Sequence, residues 1–182
     1  LALSLLNRVF SRGSGWIPYR TGVRKLAQLL RQYKGSIFPI QAILQMYANH
    51  GLRFSAELTE ERLNQWDGGF VLYLIYDGHL PANRDVDHIH PRHRLGDRFP
   101  PEQVNSIGNY QLLDADTNRH EKRAKHLNQW IESGIADRES YLKRHLIPDD
   151  PALWETENFD AFVAARARLI LDKCKPICPI CQ

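Results

Sequence analysis

Apolar residues recur at three- and four-residue spacing through Val23, Leu26, Leu29, Leu30 and Tyr33, opposite Arg24, Lys25, Gln28 and Arg31. That stripe predicts an amphipathic helix. A second helix is expected over Phe38 to Tyr47, behind Pro39, with Asn49-His50-Gly51 as its stop and Gly51 able to take the left-handed conformation. Thr59-Glu60-Glu61-Arg62 resembles a capped start leading into Leu63 and Trp66. Phe70 to Tyr76 is an apolar run whose periodicity fits a buried strand or a buried helix, and helix is preferred. Asp77-Gly78 and Pro81-Ala82-Asn83 then punctuate the chain.

The next stretch changes period. Val86 to Ile89 predicts a short strand ending at Pro91, residues 91 to 107 a long loop, and Tyr110 to Leu113 a returning strand. Asp116 to Ile131 reads as one helix with Ala124, Leu127, Trp130 and Ile131 on its buried face. Beyond Gly134 come a short helix over Glu139 to Leu146, a turn at Pro148-Asp149-Asp150-Pro151, and a helix from about Phe159 to Leu171. Phe159, Phe162, Val163, Leu169 and Ile170 form the stripe of that last helix. The pattern predicts an α+β fold: a mainly helical domain with an embedded strand-loop-strand-helix motif. No internal repeat or low-complexity linker divides it, so residues 1–182 are read as one unit. Its parts are a basic helical region (1–80), the motif (84–131) and a helical C-terminal region (135–182).

Composition bounds the class. With 43% hydrophobic residues, four Trp, seven Tyr and seven Phe, the 182-residue chain is globular and long enough to bury a core. The seven-residue run from Phe70 to Tyr76 falls far short of the roughly 20 residues that span a bilayer, so no membrane partner is expected. The only Met is Met46, and we read the sequence as part of a longer protein. Net charge is +3, but residues 1 to 56 hold eight Lys and Arg and no Asp or Glu. Positive charge gathered in one third is the footprint of a segment lying on a phosphate backbone; a solvated surface is the plainer reading.

The three cysteines, Cys174, Cys178 and Cys181, fall within the last nine residues, which excludes a disulfide framework and points to a reducing compartment. Their C-x3-C-x2-C spacing would suit a structural Zn²⁺ with one His added, while free thiols are the preferred reading.

Candidate chemistry concentrates in residues 87 to 122. Asp87-His88-Ile89-His90-Pro91 is followed by Gly108-Asn109-Tyr110-Gln111-Leu112-Leu113 and then Asn118-Arg119-His120-Glu121-Lys122. The hard oxygens of Asp87 and Asn118 suit a divalent cation, and the His88 imidazole is the side-chain type that exchanges protons near neutrality. Asn118 opens a helix whose positive end favours phosphate, with Arg119, Lys122 and Lys125 close behind. Asp87, at the solvent end of a strand, is expected to add little to stability.

This phrase resembles the HNH, or ββα-metal, endonucleases, including the HNH domains of CRISPR effector nucleases. It is most similar to the C-terminal nuclease domain of GmrSD-type modification-dependent restriction enzymes and related phage-defence nickases. The motifs cover about forty residues, and Arg166 on the final helix is compatible with that domain. The resemblance implies Asp87 and Asn118 as metal ligands, His88 as the base that activates water, and Asn109 as the residue that braces the loop and orients His88 through its backbone. Lys122 falls where some of these enzymes place a further His ligand; a cation cannot ligate a metal, so it is expected at phosphate beside Arg119 and Lys125. Two oxygen ligands imply Mg²⁺ or Mn²⁺. DNA is the implied substrate, a prokaryotic cytoplasm the implied setting, and restriction or anti-phage defence the implied role. An N-terminal NTP-using sensor portion is the implied missing part.

Plainer readings exist for each residue. His88 and His90 fit ordinary loop histidines, Gly108-Asn109 a routine turn, and Asn118 with Glu121 a helix cap, while His93 and His120 are rival ligands. The alternative function is a catalytically inactive nucleic-acid-binding module using the basic first third.

Overall fold

Strands β1 (Arg84–His88) and β2 (Tyr110–Asp114) pair antiparallel, in register from Arg84↔Asp114 to His88↔Tyr110. The computed structural model describes residues 19–50, 59–65, 68–77 and 79–175. Among these residues the fold is α+β, mainly helical with that single two-stranded sheet. None of the described helices is long and apolar enough to cross a membrane.

Before the sheet lie α1 (Tyr19–Gln32), α2 (Ile40–Ala48), α3 (Glu60–Leu63) and α4 (Gly68–Ile75). Leu26, Leu29 and Leu30 of α1 pack on Ile43, Met46 and Tyr47 of α2, as the spacing predicts, although Val23 and Tyr33 at the stripe's ends stay 39% exposed. The run from Phe70 is helical: Val71, Leu72 and Ile75 are buried beside Tyr76, Leu112 and the last helix. Trp66 and the Gly51 stop lie outside the described residues.

The connection expected as a long loop is built of short helices, α5 (Arg92–Leu95) and α6 (Pro101–Val104), with 3-10 turns at Gly96–Arg98 and Ile107–Asn109. Proline explains α6, because its fixed φ suits the first helical position. Leu95 and Val104 then bury against Phe159, giving the segment a small core of its own.

The helix expected over Asp116 to Ile131 is divided. A π-helical turn, Thr117–Lys122, stops at Arg123, and α7 (Leu127–Gly134) starts afresh after His126. Arg123 has φ 47° and ψ −121°, in a turn closed by Lys125 N–H donating to the Lys122 carbonyl at 3.0 Å. That is the first central position of a type II′ turn, which glycine adopts freely and arginine does not. The apolar stripe across the break concealed it.

After α8 (Arg138–His145), helix α9 (Phe159–Cys174) forms the wall shared by the three apolar clusters other than that of α1 and α2. Phe162 packs with Ile89, Leu127, Ile131, Leu142 and Trp154 on one side; Ile170, Leu171 and Cys174 pack under α4 and Leu112 on the other. Leu169, expected in the stripe, sits at its margin and is 38% exposed. Arg166 is wholly buried instead, its Nε and Nη2 donating to the His145 carbonyl (3.1 Å each) and Nη1 to the Ile107 carbonyl at 2.9 Å. Burial pulls its guanidinium down to about 10. Gly108 touches the same helix so closely that a Cβ would lie 2.8 Å from Val163 Cγ1 and 3.2 Å from its carbonyl oxygen. The turn leading into β2 is thus pinned to α9 twice.

Arg123→Gly is expected to raise stability by about 0.5–1 kcal/mol in urea unfolding, since relief of the positive φ outweighs the added freedom of the unfolded chain. A lower midpoint would show that the turn carries no strain.

Candidate active site

Asn109 closes the β1–β2 connection from inside. Its side chain is fully buried; Oδ1 accepts from His90 N–H at 2.8 Å, and Nδ2 donates to the carbonyls of His90 (3.1 Å) and Val104 (3.0 Å). Its own carbonyl accepts from Ile89 N–H at 2.8 Å. One carboxamide therefore fixes both peptide groups of His90, two residues past His88. The His90 ring lies between Phe159 and Phe162, and burial, with Lys122 and His126 nearby, pulls its pKa down to about 3.

β1 turns Asp85 and Asp87 to one face by strand alternation. The turn Thr117–Lys122 lies over that face, with Asn118 at Asp85 and Lys122 at Asp87. Asp87 is 8% exposed, and its Oδ2 takes Gln111 Nε2 and Lys122 Nζ, each at 2.8 Å. Lys122 also donates to the His88 carbonyl at 2.9 Å and has no exposed surface. The expectation that Lys122 meets phosphate is therefore corrected. It follows Asn118 by four positions on the same side of the turn, and the buried carboxylate beneath draws its ammonium inward. Burial lowers the Lys122 pKa, and Asp87 opposes that shift. The expectation that Asp87 is a solvent-side group with little weight in stability is corrected on the same grounds: removing it would strand a buried ammonium.

A polar chain missed by sequence reading continues inward from Asp87. Gln111 Oε1 accepts from Tyr141 O–H at 2.8 Å, and that oxygen accepts from Trp130 Nε1 at 3.0 Å. Gln111 is wholly buried. The available signal was a glutamine inside an otherwise apolar strand segment, where a polar side chain needs a reason.

Asn118 Nδ2 donates to Asp85 Oδ2 at 3.4 Å, and Arg119 forms a two-point pair with the same carboxylate at 2.9 and 3.0 Å. Lys125 stacks over the Trp130 ring, 5.4 Å from its centroid. Arg119 remains 61% exposed at its side chain. His93 and His120 are both exposed.

His88, next along β1, contacts a different set. Its ring lies 4.9 Å from that of its cross-strand partner Tyr110, and Nε2 is 3.0 Å from Asn105 Oδ1. Asn105 Nδ2 donates to the Pro101 carbonyl at 2.8 Å, which fixes Oδ1 as the face turned to His88. Nε2 must then carry the proton, leaving Nδ1 as the acceptor of the neutral ring. The ring is oriented by Asn105, while the backbone of Asn109 acts on Ile89. Beyond Asn105 opens a cleft of about 410 Å³ lined by Arg92, Arg98, Phe99, Pro100 and Pro101.

The structure thus joins Asp87 to Lys122 and Asn118 to Asp85. Among the described residues no hydrogen bond or ion pair links His88, Asp87 and Asn118 side chain to side chain. Nor are any three His, Cys, Asp or Glu among them grouped to hold a metal ion. As a donor set for a hard divalent cation, Asp87 Oδ1 and Asn118 Oδ1 fit in kind, both being oxygens without a hydrogen-bond partner among the described residues. Lys122 on the other Asp87 oxygen is the competing cation. Cys174 is a core thiol packed in the apolar cluster of α4 and α9, and burial pushes its pKa up to about 11; Cys178 and Cys181 lie outside the described residues.

No protein-family profile, curated protein or solved structure matches the chain.

Tyr141→Phe leaves Gln111 Oε1 and Trp130 Nε1 buried without partners and is expected to cost about 1–3 kcal/mol in denaturant unfolding; an unchanged midpoint would remove the polar chain from the stability account. The His90 pKa, lowered to about 3 from 6.5, also sets a pH dependence. The unfolded chain takes up this proton below about 6.5 and the folded chain does not, so stability is present above 6.5 and is lost as pH falls toward about 3. The melting temperature of His90→Phe should fall less steeply than wild type across that window, and parallel curves would refute the assignment.

Proposed function

We propose that the chain is a metal-dependent HNH-type endonuclease that hydrolyses phosphodiester bonds in DNA. The observation that carries this reading is the Asn109 clamp. It sits beneath a strand end bearing Asp87 and His88, with the Asn118 turn laid across the same strand.

In this reading the His88 Nδ1 takes a proton from water as the water oxygen bonds to phosphorus. The bond from phosphorus to the leaving 3′ oxygen breaks, and that oxygen is protonated from solvent. Asn105 holds the ring in the tautomer this needs, and Asn109 holds the peptide that follows it. Asp87 and Asn118 would hold Mg²⁺ or Mn²⁺, which supplies charge relief at the phosphorane-like transition state and the leaving oxygen. The excess of basic residues in the first third supports a polyanionic substrate. A role in prokaryotic restriction or anti-phage defence rests on the motif resemblance alone.

One observation favours a second reading, an inactive nucleic-acid-binding module: Lys122 already neutralises Asp87. Plasmid relaxation with Mg²⁺ or Mn²⁺ separates the two. The enzyme reading expects nicking that falls at least about 10²-fold in His88→Ala with DNA binding retained. Binding with no cleavage under either ion would establish the module instead.

A further inference from the structure

We infer that Lys122 is a built-in competitor for the cation site on Asp87, holding the carboxylate when no divalent ion is bound and releasing it when one arrives. This rests on the nuclease reading and concerns how that site is loaded.

The placement of the ammonium is unusual in its partners. Nζ touches the Asp87 carboxylate at 2.8 Å and the His88 carbonyl at 2.9 Å, so one buried cation grips both residues of the Asp-His pair. The other acid on this face is not available to it, because Asp85 is taken by Arg119 at 2.9 and 3.0 Å and by Asn118. Asp87 therefore brings one negative charge to the site, and Lys122 cancels it.

Charge then decides the order of events. A divalent ion on Asp87 while Lys122 stays would place two cations on a single carboxylate inside a poorly screened pocket, where like charges repel strongly. With Lys122 withdrawn, an ion on Asp87 meets a full carboxylate. Lys122 can withdraw because it ends the helical turn, immediately before the strained Arg123 link, and its four-carbon stem is flexible.

The test is Mn²⁺ binding, read by electron paramagnetic resonance of the free ion at fixed pH and salt, in wild type, Lys122→Met and Lys122→Gln. Both variants should bind Mn²⁺ at least tenfold more tightly; wild-type or weaker affinity in both overturns the inference. A measurement on the wild-type chain stands even if neither variant folds: reductive methylation mapped by mass spectrometry. Lys122 should resist methylation without metal and react at least fivefold faster in saturating Mn²⁺, and unchanged protection also overturns the inference. Wild-type protein that binds Mn²⁺ and nicks DNA, with variants no tighter, removes the competitor and leaves the nuclease. Mn²⁺ bound only by the variants is the extreme of the same competition, and no binding by any of the three removes both proposals.

Discussion

Everything around β1 depends on a single buried carboxamide. A connection of this kind leaves peptide groups facing inward, and an unpaired one costs about as much as a lost hydrogen bond. Asn109 satisfies both peptide groups of His90 with one side chain and spends its remaining N–H on Val104. Neither aspartate nor leucine could do this: aspartate has no N–H to donate and leucine has neither donor nor acceptor. Because Ile89 is also bonded to the Asn109 backbone, the chain after His88 has no freedom to swing. His88 and Asp87 inherit their positions from that clamp.

The interior nearest the candidate site is polar, and this sets it apart from the apolar clusters around it. Lys122, Asp87, Gln111, Tyr141 and Trp130 form one connected chain, while the Tyr76 hydroxyl is hydrogen-bonded to His145 Nδ1 at 2.8 Å and accepts from Leu112 N–H at 2.9 Å. Such networks gain rigidity only when every member is satisfied. Here the members come from β1, β2, α7, α8 and the turn before α7, so the network ties both strands to the helices that follow them. Arg166 extends the same logic with three bonds to backbone carbonyls and no carboxylate among them.

The strand-loop-strand order was legible from the short runs Val86–Ile89 and Tyr110–Leu113, set off by Pro91 and Gly108. The helices α1 and α9 were legible from a stripe at helical period, whereas α4 rested on an apolar run that fits strand or helix alike. What escaped has physical causes. The break at Arg123 carried no Gly, Pro or Asn, the residues that normally mark a positive φ. The burial of Lys122 ran against the strong tendency of lysine to stay in water, and only a buried acid beneath it reverses that tendency. Asn105 sits among loop prolines where its contact with His88 depends on α6 folding as a short helix. Gln111 was visible as an oddity, but its partners Tyr141 and Trp130 lie on later helices that no local pattern connects to it.

The approach of Gly108 to Val163 has a consequence for how this molecule can vary. The backbone at 108 rests against a side chain on α9 with no space for even a methyl group. A larger residue at 108 is therefore admissible only after position 163 has been trimmed; trimming 163 first opens a small void, although the 163 carbonyl oxygen, 3.2 Å from a Cβ at 108, still crowds whatever follows. Substitutions at the two positions can accumulate in that order and not in the reverse one, which gives a directional signature for anyone tracing divergent copies of this chain.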